Sequence, residues 1–388
     1  MNYTSLIIIS QKGKQKNLKI CGIICEYNPL HYGHIKLIDY AKSVADTVVC
    51  VMSGNFTQRG ESAIADKYDR ARHACLAGAD LVIELPTIFA TSSASDFAYG
   101  GISILQSINA DYYAFGSECG DISLLNNCAD CLNRDSTQLE IARLIDAGNN
   151  YPTACAYSLK KIDQKYEIID KPNNLLGIMY LSTAKQLSYK GIPLTIKRDD
   201  NYNNNNLEDI ITSSSAIRNN LNSSNLSRYL PPYVDNLCNI TDKFNDYARL
   251  LLSTSNVQAL RNTAQVTEGI ENRILNSVAT TSNYQQLIDS IKTKRYTMLK
   301  IKRIITNYAL GITKELVKLS KTVPPYINIL SVKREREDIL SYLSQIQANI
   351  VPNLGCNQQK LYDIDINAEK LYLALQGKLR PKNTLRKI

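Results

Sequence analysis

Residues 20–34 read ICGIICEYNPLHYGH, and the fold follows from them. Ile20–Cys25 is a short, apolar, β-branched run, the pattern of a buried strand. From Gly33 onward the apolar residues Ile35, Leu37, Ile38, Ala41 and Val44 recur at helical spacing over 33–45. A strand running straight into a helix puts the helix N-terminus at the corner, with its unsatisfied N–H groups and the positive end of its dipole. That is a ready anion site. Gly33 lets the backbone approach a phosphate that a Cβ would obstruct, and Pro29 stiffens the turn.

The chain holds three histidines, and two of them, His31 and His34, stand at this corner. Two imidazoles aimed at one α-phosphate stabilise the charge that builds on it during in-line attack, with no covalent intermediate required. Two plainer readings stand beside this one. The pair is a helix cap and a packed core residue, or it is a metal pair; against the latter, His73 falls in a separate helical segment.

Outward from the corner, apolar runs at 47–52, 80–85, 112–115 and 193–197 alternate with helical patterns at 66–77, 93–108 and 174–188. Such alternation predicts an α/β fold, a parallel sheet with helices on both faces and a ligand site beyond the carboxyl ends of its strands. Residues 201–206 contain five asparagines and predict an exposed loop. After about Leu226 the pattern is mainly helical, with heptad-like apolar spacing at 299–319 and 337–346. The expected organisation is an extension at 1–17, a nucleotide domain at 18–225 and a helical domain at 226–388.

At 388 residues the chain is long enough for two cores. No run approaches the roughly 18 apolar residues of a membrane span, and the N-terminal Leu6 to Ile9 run lacks the layout of a signal peptide. A soluble, cytoplasmic protein without a membrane partner is expected. The ten scattered cysteines then read as free buried thiols, and Cys128 and Cys131 form a single CxxC with no second pair to complete a zinc site.

Charge is divided unevenly. From Asp242 onward there are 23 Lys and Arg against 12 Asp and Glu, whereas the residues before it carry 22 against 24. One part is suited to a small substrate and the other to a polyanion. Lys292, Lys294, Arg295, Lys302 and Arg303 crowd one stretch with Tyr296 among them. At helical spacing Lys292, Arg295, Lys302 and Arg303 share a face suited to RNA phosphates, with Met298, Leu299 and Ile301 turned inward. Lys333, Arg334, Arg336 and the tail Lys378, Arg380, Lys382, Arg386 and Lys387 extend that expected footprint. An isolated charge run is more often a solvated face.

The blocks GIICEYNPLHYGHIKLIDYAK (22–42), VMSGNFTQRGESAIADKYDRA (51–71), GADLVIELP (78–86), FGSE (115–118) and PNNLLGIMYL (172–181) resemble the tRNA(Met) cytidine acetate ligase family. That family lies within the HxGH nucleotidyltransferases, and the likeness runs from about Lys19 to the C-terminus. It implies a Rossmann-like nucleotidyltransferase domain followed by a helical tRNA-binding domain. It also implies an enzyme that activates acetate with ATP to acetyl-adenylate, releasing pyrophosphate, and acetylates N4 of the wobble cytidine of elongator tRNA(Met).

Carried onto this sequence, the ATP site spans 24–37, with Ile24, Glu26, Tyr27, Asn28, His31, Gly33, His34 and Leu37. Gly116, one of Asn173 and Asn174, and Arg198 complete it. The segment TSSSAIR (212–218) resembles the superfamily's serine-rich phosphate motif, Ser213 and Ser214 with Arg218 making a triphosphate clamp; the plainer reading is N-capping. Lys67 and Arg70 are expected to neutralise phosphates, and Asp66 to hold Mg2+ or cap its helix. Mg2+ otherwise arrives with the nucleotide. The sequence departs from the common wording at Tyr32 and Ser62, which bears on the shape of the acetate pocket. A related HxGH ligase or nucleotidyltransferase with another acceptor, or a non-catalytic RNA-binding protein, are the alternatives.

Overall fold

The computed structural model describes residues 18–198, 213–223, 225–267, 269–379 and 386–387. The expected extension at 1–17, the asparagine loop at 201–206, Thr212, Arg380 and Lys382 lie outside the described residues.

Strand β1 (Ile20–Cys25) leads into α1 (Tyr32–Val44), then β2 (Thr47–Ser53), α2 (Lys67–Leu76) and β3 (Leu81–Leu85). A helix α3 (Ala94–Ser107) precedes β4 (Tyr112–Ser117), and α4 (Pro172–Gln186) precedes β5 (Ile192–Lys197). These five strands are parallel in the order β5-β4-β1-β2-β3. Every residue of β2 and β3 is buried, as expected where helices cover both faces of a parallel sheet. The chain steps from β1 to β2 on one side and later returns to β4 on the other. The strand order therefore reverses between β1 and β4, and a crevice opens at their carboxyl ends.

The second half adds α5 (Ser214–Asn219), α6 (Thr241–Ser253), α7 (Met298–Ala309) and α8 (Cys356–Leu375), among other helices. It is mainly helical, as expected from 226 onward, and it also contributes to the sheet. Strand β6 (Ile329–Val332) joins the same sheet antiparallel to β3, followed by β7 (Arg386–Lys387) parallel to β6. Phe244 of α6 packs on Phe56, the Tyr372 hydroxyl of α8 donates to the Ala63 carbonyl, and Asp365 accepts from the Thr87 amide at 2.7 Å. One hydrophobic cluster runs through both halves. Among the described residues no helix is long and apolar enough to cross a membrane.

Candidate active site

Tyr27, the second residue after β1, takes a left-handed conformation with φ +47°. This turns the chain sharply, and for a non-glycine residue it is a strained state held by its surroundings. The phenol faces Cys50 and the ring lies 4.9 Å from that of His34. The chain then reaches His31, the N-cap of α1.

The corner is closed by its own imidazoles. His31 Nδ1 accepts from the Gly33 amide at 3.1 Å, and His34 Nδ1 accepts from the His31 amide at 3.3 Å. This reciprocal arrangement is a capping box built from two histidines. The rings stack with centroids 3.7 Å apart. An imidazole whose Nδ1 accepts a backbone N–H carries its proton on Nε2 when neutral. Neutral is the state the site enforces. Burial, then Arg198 and Arg218, push the His31 pKa down to about 3. Burial, then His31 and Arg198, hold His34 well below the ordinary range. Capping and display of a donor are therefore one arrangement, not alternatives.

Both rings line a crevice of about 1490 Å³ whose walls include Ile24, Glu26, Leu37, Gly116, Asn173 and Arg198. A Cβ on Gly116 would stand 3.1 Å from Arg198 Cγ, so glycine gives that side chain its resting place. Glu118 was not singled out in the sequence. Its carboxylate accepts from the amides of Asn173 and Asn174 at 3.1 and 2.7 Å, capping α4 toward the crevice. Asn174 is buried, tied to the Cys119 amide and the Ile168 carbonyl. Asn173 is the asparagine on the wall.

Helix α5 is latched onto the corner. Ser213 caps it, Ser214 donates to the Pro29 carbonyl, and Arg218 donates to the Asn28 carbonyl at 2.7 Å and to Ser215 at 3.1 Å. Arg59 reaches Ser215 at 3.0 Å. The guanidiniums of Arg59, Arg198 and Arg218 thus line the crevice, the last two close enough to act on His31. The serines act as caps and latches, and Asn28 anchors its turn through Oδ1 to the Ile64 amide.

The residues of α2 are placed elsewhere. Lys67 is 2 % exposed and bridges Glu84 at 2.8 Å and Glu369 at 3.3 Å. Enclosed by carboxylates, it is withheld from any phosphate. Arg70, fully buried, donates to the carbonyls of Glu26, Ser53, Gly54 and Ala65 and so staples the loops after β1 and β2. Asp66 caps α2 through the Tyr68 amide at 2.8 Å. The cap is one of its two expected roles.

The basic stretch also differs from expectation. Residues 292–297 are not helical; α7 begins at Met298 with Thr297 as its cap. Met298 and Leu299 are each 39 % exposed instead of inward, and Tyr296 is buried. Lys292 and Lys294 are exposed, Arg295 and Arg303 line the crevice, and Lys302 is engaged by Glu61 at 2.6 Å. Lys333 and Arg336 bind Asp80, and Arg336 also holds the Asp46 carbonyl and Thr47, at the amino ends of β2 and β3. They lie at the opposite end of the sheet from the crevice and do not extend its basic wall.

The carboxylates in the crevice are engaged as well: Glu26 accepts from the Gln58 amide, Glu61 from Lys302, and Glu118 from α4. Among the described residues no group of three His, Cys, Asp or Glu is arranged to hold a metal ion.

A model of the HIGH Nucleotidyl Transferase family matches residues 18–387. The tRNA(Met) cytidine acetate ligase of Clostridium perfringens is 34 % identical, over 94 % of this chain and 97 % of its own length. That of Acetivibrio thermocellus is 38 % identical over 84 % of this chain and 86 % of its own. Among solved structures, Thermotoga maritima TmcAL in its apo form superposes with a TM-score of 0.87 at 27 % identity, covering 92 % of this chain and 95 % of that one. The same protein bound with alpha-thio ATP superposes at 0.85, also at 27 % identity and with the same coverage.

Proposed function

The chain belongs to the tRNA(Met) cytidine acetate ligase family of the HIGH nucleotidyl transferases, and on that premise we propose that it activates acetate with ATP and acetylates N4 of the wobble cytidine of elongator tRNA(Met). The observation that carries this reading is the pair of neutral imidazoles whose Nδ1 atoms are pinned to the backbone at the β1 corner. Their Nε2–H groups are hydrogen-bond donors whose protonation does not change near neutral pH.

An acetate oxygen attacks the α-phosphorus of ATP; the bond to the bridging oxygen breaks and pyrophosphate leaves. His31 and His34 donate to the non-bridging α-phosphate oxygens as charge grows there. Arg59, Arg198 and Arg218 balance the rest of the triphosphate. Gly116 and Asn173 bound the adenosine side of the crevice, and Ile24 and Leu37 give it apolar wall. With the crevice carboxylates already engaged, Mg2+ would be carried by the phosphates of the nucleotide and would offset part of their charge. N4 of the cytidine then attacks the acetyl carbon, the bond to the AMP oxygen breaks, and N4 loses a proton. Exposed Lys292 and Lys294, with Arg295 on the rim, attract the RNA backbone. Such an enzyme works in the cytoplasm, where its tRNA is.

The test is to incubate the protein with ATP, isotopically labelled acetate and total tRNA, and to digest the RNA to nucleosides. Label in N4-acetylcytidine from elongator tRNA(Met) supports the reading. Its absence, or label in another nucleoside, overturns it.

A further inference from the structure

Arg303 enters the crevice from α7. Its Nε donates to Gln265 Oε1 at 3.0 Å, and Nη1 makes a long 3.5 Å contact with the Gln58 carbonyl. Among the described residues no carboxylate pairs with it. Burial pushes its pKa down to about 10. Asp96 acts in the opposite sense at a distance, but both hydrogen-bond partners of this guanidinium are neutral, so its forked donors suit a ligand in the crevice that offers acceptors.

Its placement is built in. Gly60, at φ +69°, has no Cβ, and one built there would stand 2.5 Å from the Arg303 amide nitrogen, so α7 can lie directly on the loop after β2. Thr306 donates to the Gly60 carbonyl at 2.9 Å and Lys302 bridges Glu61, fixing the helix on either side of Arg303. Gln265, itself left-handed at φ +65°, is held through Nε2 to the Thr91 carbonyl, so its Oε1 is a fixed anchor for Nε.

We propose that Arg303 reads the wobble base, its guanidinium donating to O2 and N3 of the cytosine while N4 is left for the acetyl group. This rests on the acetylation reading above. An RNA backbone follows the outer surface, where Lys292 and Lys294 are exposed. What enters a crevice is a base swung out of its stack and recognised along its Watson–Crick edge. Cytosine presents two adjacent acceptors there, O2 and N3, matched to the forked donors of a guanidinium. Uracil places an N–H at position 3, which opposes a donor.

The experiment measures binding of anticodon stem-loops carrying cytidine or uridine at the wobble position, at several salt concentrations, to the wild type and to Arg303→Ala and Arg303→Lys, with circular dichroism to verify folding. The wild type is expected to prefer cytidine by roughly 5- to 100-fold, the range of one two-pronged base contact. Both variants are expected to lose that preference with the salt slope unchanged, since lysine keeps the charge but not the fork. An equal loss for both RNAs with a salt slope lower by about one would make Arg303 a phosphate contact and overturn the proposal. Unchanged discrimination in the folded lysine variant would overturn it as well. Acetate-dependent exchange of pyrophosphate into ATP by the wild type tests the underlying activity separately. If exchange is present and discrimination does not move, base reading alone has failed.

Discussion

Lys67, in the first turn of α2, is joined to Glu369 of the last long helix at 3.3 Å, across 302 residues of sequence. Burial works against its ammonium, but Glu84 first and then other acidic groups outweigh that and hold its pKa well above the ordinary value. The expected effect of Lys67→Ala is a loss of stability of about 3–5 kcal/mol, because two buried carboxylates would be left uncompensated. Chemical denaturation measures it. Adding Glu84→Gln and Glu369→Gln should recover much of the loss. A Lys67→Ala enzyme of normal stability with no adenylation would instead return the lysine to chemistry.

The depressed histidines make a prediction about pH. The free enzyme's kcat/KM for ATP should show no ionisation near 6.5, since His31 titrates at about 3 and His34 well below its usual range. For stability, the unfolded chain takes up these protons below about 6.5 while the native state does not. The contribution is therefore complete above 6.5 and is lost as pH falls toward 3, by about 1.4 kcal/mol per unit for each such histidine. His31→Asn keeps a capping acceptor and removes the titrating group, so its stability should fall less steeply over that window. An acid limb near 6.5 in the wild-type rate profile would contradict the neutral pair.

The corner was legible because it is local: strand, turn, cap and helix lie within about two dozen residues, and each is a short-range preference. The existence of five strands along the chain, and their parallel sense, followed from the same kind of signal. Strand β6 was not legible, since four buried residues in a helical stretch have too few positions to show a period, and its partner β3 lies far away in sequence. Lys67 misled for a related reason. A lysine beside a phosphate-site motif looks available, and its partners Glu84 and Glu369 come together only in three dimensions. A single glutamate within the apolar strand LVIEL was the visible sign that a buried cation was needed. Glu118 lay inside a quoted motif, but nothing in its spacing distinguished a crevice wall from surface.

Arg218 joins two tasks, holding the Asn28 carbonyl and presenting positive charge to the crevice. Arg218→Ala should raise KM for ATP with little change in KM for acetate, and lower kcat/KM for ATP about 10- to 100-fold, the worth of one charge-assisted contact. Initial rates of acetate-dependent pyrophosphate exchange measure both constants. Arg218→Lys should recover part of the loss through charge alone, because a lysine cannot bridge Asn28 and Ser215 as the fork does. Equal effects on both substrates would show that the latch on α5, and not nucleotide charge, dominates.

His34 is the sharper test of the chemistry, because removing it leaves the His31 cap of α1 in place. His34→Ala deletes one Nε2–H donor and one acceptor for the His31 amide. Loss of a preorganised donor to a charge that develops in the transition state costs about 10²- to 10³-fold in rate, whereas loss of half a capping box costs only about 1 kcal/mol of stability. The expected outcome is a folded protein, by circular dichroism and denaturant midpoint, that still binds ATP and exchanges pyrophosphate at least a hundredfold more slowly. A folded His34→Ala protein exchanging at nearly the normal rate would mean that the imidazole pair only caps the helix, and the α-phosphate would have to be met by the guanidiniums alone.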